Sequence, residues 1–252
     1  QFVAHGAFDG DVCFMRKDGS PVWARVQGRG VRAHDMAGGT VWILEDLTAA
    51  REAQQQQDWA AIHDPLTQLC NREAFVQRMG VLLAERSARA RTPGVEAVDA
   101  AEGEGDGVML FLDLDHFTVV NDLAGHDAGD DVLRHVARLL ESQVRQIGWA
   151  ARLGGDEFAV VLPGCSLARG QALAEQLRAA VQAWEPSYQG RSFTLGVSIG
   201  LVVLDASLQD VPSVLYAADM ACYDAKRAGR NRVETRHADQ AAASGRMALG
   251  PV

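Results

Sequence analysis

Between Trp149 and Pro163 the chain reads WAARLGGDEFAVVLP, two apolar runs closed on each other by Gly154, Gly155, Asp156 and Glu157. Apolar and β-branched residues on both sides of a Gly-Gly pair predict a β-hairpin, because glycine supplies the positive φ that a tight two-strand turn requires. The turn carries adjacent carboxylates. On so short a loop they repel each other, and the pair is held more easily when a cation sits over it, so the turn is a candidate metal site. A second acidic cluster ends VMLFLDLDHF at Val108 to Phe117, a buried-strand pattern with Asp113 and Asp115 at its C-terminal end. Two strand-borne carboxylate clusters suit a hard cation such as Mg²⁺ and, through it, phosphate chemistry.

GGDEF at Gly154 to Phe158, preceded by Arg152 and Leu153, together with DLDHFTVVNDLAGHDAGDDVL at Asp113 to Leu133, resembles the GGDEF family of diguanylate cyclases. DPLTQLCNR at Asp64 to Arg72 and YDAKRAGRNRV at Tyr223 to Val233 extend the resemblance, in family order, over residues 64–236. A single five-residue match is weak, whereas four ordered motifs are specific. The resemblance implies an α/β (α+β) fold, the ferredoxin-like mixed sheet flanked by helices that nucleotide cyclases share with polymerase palm domains. It also implies a reaction in which two GTP molecules condense into cyclic di-GMP with loss of two pyrophosphates. The cofactor is then Mg²⁺ (or Mn²⁺), and catalysis needs a homodimer, because each protomer holds one GTP.

On that resemblance Asp113, Asp156 and Glu157 are metal ligands and Leu114 contributes a backbone carbonyl. Asp156 and Glu157 are the catalytic pair, with Asp156 where the family has its proposed proton acceptor. Asp115 either touches the metal with them or supports the strand end. His116, Phe117 and Thr118 open a helix directly after the metal strand, where backbone N–H groups can cradle phosphates. Thr118 stands where many relatives have Lys. Lys226 and Arg230 match phosphate-binding positions. Asn121 and Asp130 match the guanine-binding ones, since a carboxylate accepts from the base's N–H edge and an amide bonds a ring edge. Asp130 is expected in the first turn of its helix. Relatives under product inhibition carry Arg-x-x-Asp just ahead of the hairpin, and here Arg145 survives while Gly148 takes the acceptor position. Cyclic di-GMP inhibition through this degenerate site is expected to be lost, and an aspartate at position 148 to restore part of it.

The 252 residues, 48% hydrophobic, are those of a globular chain with a substantial core. A formal net charge of −9 argues against a general nucleic-acid or anionic-membrane binder, so a bound nucleotide must be held by local cations and metal. The longest apolar run, Phe193 to Leu204, is too short to span a bilayer. Cys13, Cys70, Cys165 and Cys222 lack ligand spacing, which predicts reduced thiols, no zinc and a cytoplasmic setting. The chain shows no signal peptide and opens at Gln1 without Met, and is expected to be a piece of something longer.

Three β-like runs in residues 1–47, with turns at Lys17-Asp18-Gly19 and Gly38-Gly39, predict an antiparallel meander that resembles the C-terminal part of a PAS domain. Residues 48–63 predict a polar linker helix, 64–236 the GGDEF domain, and 237–252 a tail that could lead to a further domain. The rest alternates: helix 71–88, strand 108–114, helices 116–123 and 128–146, the hairpin, helix 166–184, strand 192–204, helix 211–228 and strand 232–235. The acidic stretch 90–107 reads as a solvated loop. Two other functions fit the same residues: a non-catalytic GTP-binding regulatory module of a larger cyclic di-GMP phosphodiesterase protein, and a PAS-linked dimerisation fragment.

Overall fold

The computed structural model describes residues 7–32, 35–90 and 105–236. The tail from 237 and most of the acidic stretch, 91–104, lie outside the described residues. The chain divides into two compact units, Gln1–Ala61 and Ile62–Val252.

In the first unit β1 (Ala7–Met15), β2 (Pro21–Arg32) and β3 (Asp35–Asp46) form an antiparallel sheet in the order β1-β2-β3, followed by helix α1 (Thr48–Ile62). Gly19, at φ +85°, turns β1 into β2 as expected. The Gly38-Gly39 pair does not turn the chain. It lies inside β3, with Gly39 at φ +91°, on the strand that faces a register shift between Gly30 and Arg32. On one face of the sheet Asp11 accepts from Arg25 and from Arg51 of α1, and the Arg51 guanidinium lies 4.2 Å above the Trp23 ring. α1 buries no residue, as its polar sequence requires.

The second unit holds a five-stranded sheet in the order β10-β9-β4-β6-β5, built from β4 (Val108–Asp115), β5 (Trp149–Gly154), β6 (Glu157–Leu162), β9 (Gly196–Val203) and β10 (Val233–Arg236). Only the β9–β10 pair is parallel. Every residue of β4 is buried, which is why its sequence is a continuous apolar run and not an alternation. Helices cover both faces: α2 (Arg72–Ala90), α3 (Phe117–Ala124), α4 (His126–Val144), α5 (Leu167–Ala183) and α6 (Val211–Arg227). On one face Val136, Leu140 and Leu177 of α4 and α5 pack with Leu110, Leu112 and Leu114. On the other, Phe75, Met79 and Ala218 of α2 and α6 pack with Met109 and Phe111. The two-residue period of a strand therefore turns Asp113 and Asp115 toward the α6 face.

Two elements are placed differently from the sequence expectation. α4 starts at His126, not 128, because Gly125, at φ +87°, both ends α3 and begins α4. Asp130 thus falls beyond the first turn, where the acidic residue is Asp127. The run 192–204 is not one strand. Gln189 and Gly190, both at positive φ, close a two-residue hairpin between β7 (Ser187–Tyr188) and β8 (Arg191–Ser192), and β9 begins only at Gly196.

Candidate active site

The hairpin and the central strand bring the acidic residues together. Asp113 on β4 lies directly opposite Glu157 on β6 and Ser198 on β9. Asp156 occupies the β5–β6 turn, and its carbonyl accepts from the Leu114 N–H at 3.4 Å. Asp113 is only 9% exposed, and Lys226 in the last turn of α6 places Nζ 2.6 Å from its Oδ2. Burial raises the Asp113 carboxyl above the ordinary aspartate range, Lys226 pulls it back, and Asp156 and Asp115 push it further up. Burial likewise raises Glu157, and Asp113, Asp219 and Asp156 add to it against the opposing Arg72. Lys226 is held above its usual value because its pairing with Asp113 outweighs burial. The cluster is thus short of positive charge.

Among the described residues no three acidic, His or Cys side chains converge into a preformed metal cage. Mg²⁺ is usually bound through one or two carboxylates plus substrate phosphates and keeps several waters. The donor set fits such an ion: hard carboxylate oxygens of Asp113, Asp156 and Glu157, with Asp156 adding to the burial that disfavours ionisation of Asp113 and Glu157.

A second ionic link fixes the hairpin, and sequence reasoning missed it. The Arg152 guanidinium donates to both Asp64 oxygens at 3.1 and 3.2 Å and, through Nε and Nη2, to the Gly155 carbonyl at 3.0 and 2.8 Å. Asp64 also accepts from the Thr67 N–H and hydroxyl. Burial alone would raise the Asp64 carboxyl, but Thr67 and Arg152 outweigh it and hold it low. The Asp-x-x-Thr spacing signals the Thr67 contacts alone, since it suits a side chain bonded to a backbone N–H three residues on.

The remaining site residues ring this centre. His116 takes the left-handed conformation, φ +62°, between β4 and α3. Phe117 is buried in the core and Thr118 is exposed, so only the backbone of Thr118 is fixed by its place in the first turn. Asn121 packs against α4 where a Cβ at Gly129 would come within van der Waals conflict of its Oδ1, so Gly129 makes room for the amide. Asp130 is half-exposed, with Arg134 of the next turn 3.7 Å away, while Arg134 holds Asp131 more closely at 2.8 Å. Arg230 is exposed, at φ +62°, in the turn after α6.

Arg145 caps the C-terminus of α4. At Gly148 a Cβ would collide with the Val161 carbonyl oxygen and stand 3.1 Å from its carbon. The expectation that an aspartate at 148 restores the inhibitory site is therefore corrected: β6 backbone occupies the place its side chain would need.

An antiparallel hairpin and central strand with carboxylates at one end, helices on both faces and a parallel edge strand make a ferredoxin-like α/β domain of the nucleotide-cyclase and polymerase-palm type. The family model described as "Diguanylate cyclase, GGDEF domain" matches residues 61–232, and the chain belongs to the GGDEF family. It is 36% identical over 205 residues to the probable diguanylate cyclase DgcE of Escherichia coli (strain K12), covering 81% of this chain and 17% of that protein. It is 38% identical over 190 residues to the diguanylate cyclase DgcP of Pseudomonas aeruginosa, covering 75% of this chain and 26% of that protein. The chain thus spans about a quarter or less of the length of these relatives. Among solved structures, the coiled coil and GGDEF domain of DgcB from Caulobacter crescentus in complex with c-di-GMP is 30% identical with a TM-score of 0.64, covering 75% of this chain and 93% of that one. No helix among the described residues is long and apolar enough to cross a membrane.

Proposed function

We propose that this chain is a Mg²⁺-dependent diguanylate cyclase (Mn²⁺ being the alternative ion) that condenses two GTP into cyclic di-GMP as a homodimer. The observation that carries the reading is the cross-strand pair Asp113 and Glu157, with Asp156 on the adjoining turn and Lys226 against Asp113. Asp113, Asp156 and Glu157, with the Leu114 carbonyl, would hold the metal. A bound Mg²⁺ supplies charge neutralisation for the leaving pyrophosphate and lowers the pKa of the attacking 3′-hydroxyl. Asp156, on the turn, is the group that takes the proton from that hydroxyl. Lys226 and Arg230 bind β- and γ-phosphate oxygens, with the first-turn N–H groups of α3 at Phe117 and Thr118. When GTP arrives, its phosphates compete with Asp113 for the Lys226 ammonium.

Asn121 and Asp130 bind guanine. Base contacts form equally in the ground and transition states, so Asn121→Ala and Asp130→Ala should each weaken GTP binding by about 1–3 kcal/mol with little change in kcat. Saturation kinetics with GTP checks this, and an unchanged KM in both variants would move the base pocket elsewhere.

The direct test is chromatography of products after incubating the chain with GTP and Mg²⁺ across a dilution series. Each protomer holds one GTP, so specific activity should fall as dilution splits the dimer, in step with sizing. Constant activity in a fully monomeric sample would refute the shared site. GTP binding without product would instead favour the regulatory module.

A further inference from the structure

Asp115 is 4% exposed, and both of its oxygens are engaged by groups of this chain. Ser198 on β9, itself fully buried, donates its hydroxyl to Oδ1 at 2.8 Å. The backbone N–H of Asn231 donates to Oδ2 at 2.8 Å. Asn231 belongs to the turn between α6 and β10, where Arg230 at φ +62° and Asn231 at φ +47° both take the left-handed conformation. Residues other than glycine, asparagine and aspartate rarely adopt that conformation, so Arg230 is the one the surroundings must hold there. Here the surroundings are identifiable. The Arg230 N–H donates to the Ala225 carbonyl at 3.0 Å, Arg178 donates to the Asn231 side-chain oxygen at 3.3 Å, and Asp115 takes the Asn231 amide from below. Gly196, paired with Asp115 across β4 and β9, leaves the space: a Cβ there would stand 3.0 Å from Oδ2.

We infer that Asp115 is a positioning residue, a buried carboxylate that holds the Arg230–Asn231 turn in its left-handed form and so sets Arg230 toward the nucleotide phosphates. The inference rests on the proposed reading of Arg230 as a phosphate contact. It separates two carboxylates that sit two residues apart on the same strand face: Asp113 meets Lys226 and the acidic turn, whereas Asp115 is turned to the α6–β10 connection. A metal ligand needs its charge. A positioning carboxylate needs its acceptors, and an asparagine can supply the same pattern. Its oxygen would accept from the Asn231 N–H, and its NH₂ would donate to the Ser198 hydroxyl, which can accept as readily as donate.

The test is calorimetric binding of 3′-deoxy-GTP with Mg²⁺, a probe that lacks the attacking hydroxyl and cannot turn over. Asp115→Asn should keep affinity within about threefold, and Asp115→Ala should lose about tenfold, the size of one net hydrogen bond. In an Arg230→Ala background the further change Asp115→Ala should cost nothing measurable, because the two residues act through one turn. Additive losses would overturn the inference alone. Asp115→Asn as damaging as Asp113→Asn would also overturn it and make Asp115 a metal ligand. If the alanine variant does not fold, that asparagine comparison decides. An Arg230→Ala variant that binds the probe normally would overturn the phosphate assignment, and this inference with it.

Discussion

Asp156→Ala and Glu157→Ala are expected to lose cyclic di-GMP formation by roughly a thousandfold or more while unfolding at nearly the temperature of the parent. The activity loss follows from the proposed chemistry: each variant removes a ligand to the ion that carries several kcal/mol of transition-state stabilisation, and about 1.4 kcal/mol is tenfold in rate. The retained stability follows from the electrostatics. Glu157 is raised by burial, then by Asp113, Asp219 and Asp156, so its ionised form is disfavoured in the folded chain. Asp156 adds to the upward shift of Asp113. Truncating either relieves repulsion, and the hairpin stays fixed by Arg152, which bonds the Gly155 carbonyl and not the acidic side chains. A product assay beside thermal unfolding tests both halves. Two variants of full activity would remove the metal assignment, and two that unfold would make the turn structural.

That separation of site from scaffold explains what the sequence disclosed. Strand β4 was legible because a strand buried on both faces must be apolar throughout, and the two carboxylates that break its run mark its functional end. The hairpin was legible because Gly154-Gly155 stands with two charged residues between apolar runs, whereas Gly38-Gly39, without them, lies inside β3 and closes no turn. The links between distant segments were not. Asp64 and Arg152 are 88 positions apart, and Asp115 and Asn231 are 116 apart, and no local periodicity ties such residues together. The β7–β8 hairpin escaped for a different reason. Gln189-Gly190 is a weak turn signal, and Phe193 and Leu195, buried ahead of β9, continue its apolar pattern without belonging to it. Gly148 shows the limit most clearly. A motif comparison registers a missing aspartate there, while the fold sets the Val161 backbone of β6 where its Cβ would stand.

Gly148→Asp is accordingly expected to destabilise the domain and to leave cyclic di-GMP binding unrestored. The Cβ it adds would collide with the Val161 carbonyl oxygen, a backbone atom that no rotamer change can move. Val161 cannot yield alone, because it pairs with Met109 on β4 and with Trp149 on β5, so relief means displacing strands from the centre of the sheet. Overpacking of this kind costs about 3 kcal/mol. For a domain of this size that lowers the unfolding midpoint by about 6–12 °C. In the unmodified chain the position offers no acceptor for guanine, and losing a carboxylate that bonds two N–H donors weakens binding by about thirtyfold or more. Arg145 alone then holds little, and Arg145→Ala should leave calorimetric titration with cyclic di-GMP unchanged. A Gly148→Asp variant that melts with the parent and gains micromolar product binding would show that β5 and β6 separate more readily than their register implies.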